Sequence, residues 1–227
     1  MVTPVVFPAT GLSGPSVAPA SGKPARQLVV LLHGLGADGN DLIALAPFFA
    51  GVLPDAEFLA PDGPQACDMA PMGRQWFSLQ EMSPEALEAG IAQAAPILND
   101  FLDRELAKRG LAASQLALVG FSQGTMMALH VGLRRREQIA GIVGFSGMLV
   151  APEKLAAEIA SRPSVLLIHG DRDDVLPSDF SLLAEQELSR LEVPAAAHLR
   201  EGLDHGIDEE GVTLAVKFLA DCFRGFR

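Results

Sequence analysis

The segment of this chain best suited to covalent chemistry is Gly120-Phe121-Ser122-Gln123-Gly124. It directly follows the apolar run of residues 116–121 (LALVGF) and opens a helical stretch. In that context G-x-S-x-G reads as a nucleophile elbow: the serine occupies a strained strand-to-helix turn, and small flanking residues let the backbone bend that sharply. Such a turn lifts the Ser122 hydroxyl out of the end of a sheet. It also leaves the N–H of Gln123 at a helix N-terminus, where it can face an anion. A packed turn that merely needs small residues would share the spacing but would not need the strand before it and the helix after it.

A serine is a weak nucleophile until a base, itself held by an acid, takes its proton. In strand–serine–helix sites of this kind the chain order is Ser, then Asp or Glu, then His. His198 and His205 are placed to follow an acid, whereas His169 ends the apolar run 165–168 (VLLI) and precedes the acids. His205 sits in Gly202-Leu203-Asp204-His205-Gly206, a glycine-flanked loop just after a strand, and is the better base. His198 lies inside the strand AAAHLR, where a histidine packs or faces solvent. The acid belongs on the loop His169-Gly170-Asp171-Arg172-Asp173-Asp174-Val175-Leu176-Pro177, where three aspartates compete and spacing does not choose among them.

The other half of a site follows the run 28–32 (LVVLL): His33-Gly34-Leu35-Gly36-Ala37-Asp38-Gly39-Asn40-Asp41. A glycine-rich turn at a strand's carboxyl end suits a second oxyanion-hole donor, the N–H of Leu35, converging with that of Gln123 on a tetrahedral oxyanion. The phosphate-loop alternative fails on pattern, since the segment is neither G-x-G-x-x-G nor G-x-x-x-x-G-K-[ST] and carries no lysine.

Together LLHGLGADGND, GFSQGT, HGDRDDVLP and LDHGI resemble the phospholipase/carboxylesterase family of α/β-hydrolases, which includes bacterial carboxylesterases and acyl-protein thioesterases or lysophospholipases. The four motifs stand in the family's order, and the resemblance covers about residues 26–223. It implies Ser122 as nucleophile, His205 as base, and Leu35 and Gln123 as oxyanion donors. It also implies Asp173 as the acid, the fourth residue after the histidine of H-G-x-x-D, with Asp174 a lesser candidate. The family's W-F motif is matched by Trp76-Phe77.

Residues 61–82 (PDGPQACDMAPMGRQWFSLQEM) form a loop too long for a simple connection, which is usual for functional loops. They hold the only Trp, Trp76, and the methionines Met69, Met72 and Met82. Flexible thioethers beside an aromatic suit an adaptable groove for an acyl chain, so Trp76, Met69 and Met72 are expected to bind substrate. The plainer reading is that they pin the loop to the body. Cys67, in the same loop, has no neighbouring base and is not expected to be catalytic.

These residues need a rigid frame. Unalternating apolar runs at 28–32, 116–121, 139–145 and 165–168 read as strands buried on both faces, with weaker strands at 56–60 and 195–199. Between them lie helical stretches. One is announced by Ser83-Pro84-Glu85 and reaches about Gly110, with Pro96 kinking or splitting it, and others cover 123–136, 152–161, 179–191 and 209–223. The alternation predicts a single-domain α/β fold with a mostly parallel central sheet covered on both faces over residues 26–227, and the resemblance implies that this is the α/β-hydrolase fold. Residues 1–25 are expected to form an extended lead-in, with Val5, Val6 and Phe7 able to pair as an edge strand.

The 227 residues carry 17 Lys and Arg against 28 Asp and Glu, a net charge of −11, which excludes the basic footprint of a nucleic-acid binder. No apolar run is long enough for an integral membrane segment. Two cysteines make no disulfide framework, and no ligand-spaced cluster suggests a metal. No cofactor is expected. The partner is a small-molecule ester or thioester, a homodimer is compatible with the sequence, and the missing leader features read as cytoplasmic placement. The expected activity is hydrolysis of carboxylic esters with short-to-medium acyl chains. Thioesterase or lysophospholipase action on the same triad is the alternative, and a non-catalytic binding module is disfavoured by the full set of required residue types.

Overall fold

Each of the buried strands carries two apolar faces, and the helices cover both. In the computed structural model, residues 3–7 and 11–225 are described, the first of these segments by its backbone alone. The chain runs β1 (Thr3–Phe7), β2 (Leu12–Val17), β3 (Gln27–Leu32), α1 (Gly39–Leu42), α2 (Ala46–Ala50), β4 (Ala56–Leu59), β5 (Gln65–Ala66), β6 (Arg74–Gln75), α3 (Pro84–Arg109) and β7 (Leu116–Phe121). It continues through α4 (Gln123–Arg134), β8 (Gly141–Phe145), α5 (Pro152–Glu158), β9 (Ser164–Gly170), α6 (Asp179–Arg190), β10 (Ala195–Arg200) and α7 (Glu209–Gly225). The sheet order is β1-β2-β4-β3-β7-β8-β9-β10, parallel from β4 to β10.

All six strands expected from the apolar runs are present, and alternate residues of each feed different cores. Leu28, Val30 and Leu32 join Leu116 and Leu118 in a cluster with α3, α4 and α6. Val29 and Leu31 join Ala117, Val119 and Val143 in a second cluster with α2 and α7. β10 is the edge strand at the parallel end of the sheet, where His198 and Leu199 are exposed. No helix among the described residues is long and apolar enough to cross a membrane.

Two readings are refined. The extended lead-in is not confined to one edge strand: β1 pairs antiparallel with β2, and β2 pairs antiparallel with β4. Val5–Phe7 lies within β1, while the strand at Leu12–Val17 was illegible because its Gly and Pro content reads as loop. Gly14 is required there, since a Cβ would collide with the Ala60 carbonyl. Nor does Pro96 split α3, a single 26-residue helix. Ala92 and Pro96 are both exposed, so the carbonyl that loses its partner faces water. The helix begins with the Ser83 side chain accepting from the Ala86 N–H and ends at left-handed Gly110 (φ 65°), as its sequence indicated.

Burial and then the neighbouring charge of Arg134 push His130 of α4 down to about 4, and its Nδ1 has no hydrogen-bond partner among the described residues. An unfolded histidine takes up its proton near pH 6.5, about 2.5 pH units earlier. Stability therefore falls as pH drops between those values, by up to about 3 kcal/mol, and His130→Gln should flatten the pH profile of denaturant unfolding in that window. A Gly14→Ala variant should lose about 1–3 kcal/mol by thermal or denaturant unfolding, because backbone rather than a mobile side chain blocks the new methyl.

Candidate active site

Ser122 occupies the turn between β7 and α4 at φ 53°, ψ −116°, a conformation a side chain enters only at a cost. The flanking glycines make the turn possible. A Cβ on Gly124 would overlap the Leu32 carbonyl, and one on Gly120 would overlap the backbone of Gly124 and Thr125. The strained residue is tied down by its own N–H, which donates to the Phe145 carbonyl at 2.8 Å. Buried Thr125 adds a hydroxyl 2.9 Å from both the Gly120 and Phe145 carbonyls.

The loop after β9 separates the three aspartates. Asp173 is buried, while Asp171 and Asp174 are exposed, and Asp171 accepts from the Gly202 N–H at a turn. Asp173 Oδ1 accepts from the N–H groups of Val175 (3.0 Å) and Leu176 (2.8 Å). Its Oδ2 lies 2.6 Å from His205 Nδ1. Burial works to raise the Asp173 pKa, but the Leu176 amide and His205 outweigh it and hold the carboxyl below its usual value. His205 reaches this position because the 203–204 backbone presses on Gly170, where a Cβ would overlap the Leu203 carbonyl. Its ring centroid is 5.0 Å from that of Phe121, next to Ser122.

His169 contributes a contact that chain order concealed. Its Nε2 faces the Leu176 carbonyl (2.8 Å) and Asp173 Oδ2 (3.0 Å), and its Nδ1 faces Ser181 Oγ (2.7 Å). A carbonyl only accepts, so Nε2 bears the proton and also leans on the carboxylate. Both His33 and His169 precede a glycine at the carboxyl end of a buried strand, a shared signal that would have pointed to such a role.

Across the sheet's carboxyl end, the Leu35 loop touches the elbow: a Cβ on Gly34 would lie 3.0 Å from the Phe121 ring and 3.4 Å from Ser122 Cβ. No acceptor among the described residues takes the N–H of Leu35 or of Gln123. The two donors belong to one hydrogen-bonded clasp. The Gln123 side chain accepts from the Trp76 N–H (2.9 Å) and donates to the Phe77 carbonyl (2.7 Å). The Trp76 indole donates to the His33 carbonyl (3.0 Å).

Trp76 is thus placed differently from the expectation that it lines an acyl groove: it is 0% exposed and buried between His33 and the core. A large ring whose N–H finds a buried carbonyl is stable there, and that brace is what fixes the loop. The loop itself forms the β5–β6 hairpin, with Met69 and Met72 at its tip, 58% and 81% exposed. The hairpin leans on the Leu35 loop through the Arg74 N–H to Ala37 carbonyl and Gly36 N–H to Arg74 carbonyl bonds (2.7 and 2.9 Å). Cys67 is a half-buried free thiol in the same hairpin. Among the described residues, no group of three or more His, Cys, Asp or Glu side chains is arranged to hold a metal ion.

A strained serine between a central parallel strand and its helix, with an aspartate–histidine pair on the loops after the last two strands, defines an α/β-hydrolase. The model of the phospholipase/carboxylesterase family matches residues 14–223, and the chain belongs to that family. It is similar to the esterase YpfH of Escherichia coli (strain K12), 27% identical over 197 residues that cover 87% of this chain and 83% of the relative. The crystal structure of esterase PE8 superposes with a TM-score of 0.89 at 47% identity, covering 93% of this chain and 99% of that one. Zea mays acyl-protein thioesterase 2 shares the fold, with a TM-score of 0.74, 23% identity, and 92% and 97% coverage. The family match begins within β2, in keeping with that strand's place in the sheet.

Trp76→Phe keeps most of the apolar bulk but leaves the His33 carbonyl buried without its donor. Unfolding should become easier by about 1–3 kcal/mol, read by circular dichroism in urea because the only Trp has been removed.

Proposed function

We propose that the protein hydrolyses carboxylic esters of short-to-medium acyl chains, with Ser122 as nucleophile, His205 as base and Asp173 as its orienting carboxylate. The observation that carries this reading is the 2.6 Å contact of Asp173 Oδ2 with His205 Nδ1, on a ring packed beside the elbow. With Nδ1 bearing the proton, Nε2 holds the lone pair a base needs. The Ser122 oxygen attacks the ester carbonyl as its proton passes to His205, and the Leu35 and Gln123 N–H groups receive the oxyanion. The leaving alcohol takes the proton from His205, and water then attacks the acyl-enzyme with His205 again as base. Asp173, held below the usual carboxylate range, stays ionised and stabilises the imidazolium without taking its proton.

Met69 and Met72 are our candidates for the acyl-side contact. They project from a hairpin tip bonded to the Leu35 loop, and flexible thioethers adapt to alkyl chains. The described residues between β4 and α3 form this small hairpin rather than a lid helix, which favours soluble, shorter esters. A thioester carbonyl would be open to the same chemistry.

A fluorophosphonate probe should label the wild-type protein and fail to label Ser122→Ala; undiminished labelling would remove the nucleophile from the proposal. On nitrophenyl esters from C2 to C16, run beside a thioester, Asp173→Asn should lower kcat on the order of 10³–10⁴-fold. Asp174→Asn, exposed and apart from His205, should stay within a few-fold of wild type, and the reverse ranking would move the acid.

A further inference from the structure

The N–H of Leu35 belongs to a peptide unit whose carbonyl, that of Gly34, lies 2.7 Å from His33 Nδ1. Because a carbonyl only accepts, Nδ1 carries the proton. The other ring nitrogen, Nε2, lies 2.8 Å from the Gly63 amide nitrogen and accepts its hydrogen. The ring is therefore neutral and held in one tautomer, and burial favours the same state by pushing its pKa down against the Gly34 carbonyl and Asp62, Asp38 and Asp41.

The described residues contain no cis peptide bond, and in a trans unit the C=O and N–H point in opposite directions. Holding the Gly34 oxygen on the His33 side thus turns the Leu35 N–H away from His33. A hydrogen bond at the carbonyl also polarises the N–H of the same unit. The His33 backbone is itself anchored, its carbonyl accepting from the Trp76 indole, whose main-chain N–H reaches the Gln123 side chain.

We infer that His33 is a positioning residue of the ester-hydrolysis site: its Nδ1–H holds the Gly34 carbonyl so that the Leu35 N–H is aimed at the oxyanion formed on Ser122. This rests on the reading of Ser122 as nucleophile.

Two amide variants separate the two nitrogens. His33→Asn puts a donor near the Nδ1 position and keeps the hold on Gly34 while losing Gly63. His33→Gln extends an acceptor toward the Nε2 position and does the reverse. With a nitrophenyl ester, His33→Gln should lose on the order of 10–100-fold in kcat with KM nearly unchanged, while His33→Asn keeps kcat within a few-fold. Binding of a trifluoromethyl ketone, whose adduct bears the oxyanion, should weaken in step with the kcat loss. A loss in Asn equal to or larger than that in Gln, a change confined to KM, or unchanged ketone binding overturns the inference. If neither variant folds, long-range proton–nitrogen NMR on ¹⁵N-histidine wild-type protein decides. His33 must be protonated at Nδ1 and bare at Nε2, and the opposite tautomer overturns the inference. Ser122→Ala keeps the two readings apart: if it retains activity, the nucleophile assignment has failed. If it is dead while His33→Gln has wild-type kcat, only the role of His33 has failed.

Discussion

The structure depends on how closely α4 approaches the end of β3. With no Cβ on Gly124, the first turn of α4 sits against the Leu32 carbonyl, where any larger residue would collide. That approach forces Ser122 into its positive-φ turn and brings Gln123 beside the loop leaving β3. The strain at Ser122 costs on the order of 1–3 kcal/mol and persists only because its surroundings over-determine it. Here the Ser122 N–H is bonded to β8 and Thr125 is locked between two carbonyls. Four adjacent parallel strands, β3, β7, β8 and β9, thus end at a common edge whose loops cannot drift independently.

From that edge a hydrogen-bonded clasp extends outward. Gln123 holds the 76–77 backbone, Trp76 holds the His33 carbonyl, and His33 holds Gly34 and Gly63. Asp62 continues the chain, accepting from the Gly39 N–H at 2.9 Å and from the Ser13 hydroxyl at 3.3 Å. The N-terminal strand β2 is therefore part of the support for the Leu35 loop. On the other side, His169 and the Val175 and Leu176 amides hold Asp173, which in turn holds His205. Both histidines that precede these loops are used as orienting side chains, in opposite tautomers set by which nitrogen meets a carbonyl.

Much of this was legible in the residues, for a reason that differs by element. The runs LVVLL, LALVGF and VLLI are apolar at every position, which only a strand covered on both sides tolerates, so the parallel sheet followed directly. The elbow was legible because its steric demand leaves almost no choice beside the serine. The strand Leu12–Val17 was not, since its Gly and Pro read as loop and only pairing with β1 on one side and β4 on the other makes it a strand. The placement of Trp76 was not legible either, because composition cannot distinguish an aromatic that greets a ligand from one that braces a loop. That difference lies in whether its N–H meets a buried carbonyl or open space.

The sequence by itself determined the fold class, the strained position of Ser122 and the chain order of the residues that could serve it, because those depend on local sterics and on hydrophobic periodicity. Only the tertiary structure decided which partner each polar group meets. Asp173 rather than its neighbours faces His205, His33 turns its Nδ1 to Gly34, and Met69 and Met72 rather than Trp76 reach solvent. Such choices turn on contacts between residues tens of positions apart, where a rotation of one peptide or ring exchanges donor for acceptor. Spacing along the chain carries no record of that rotation.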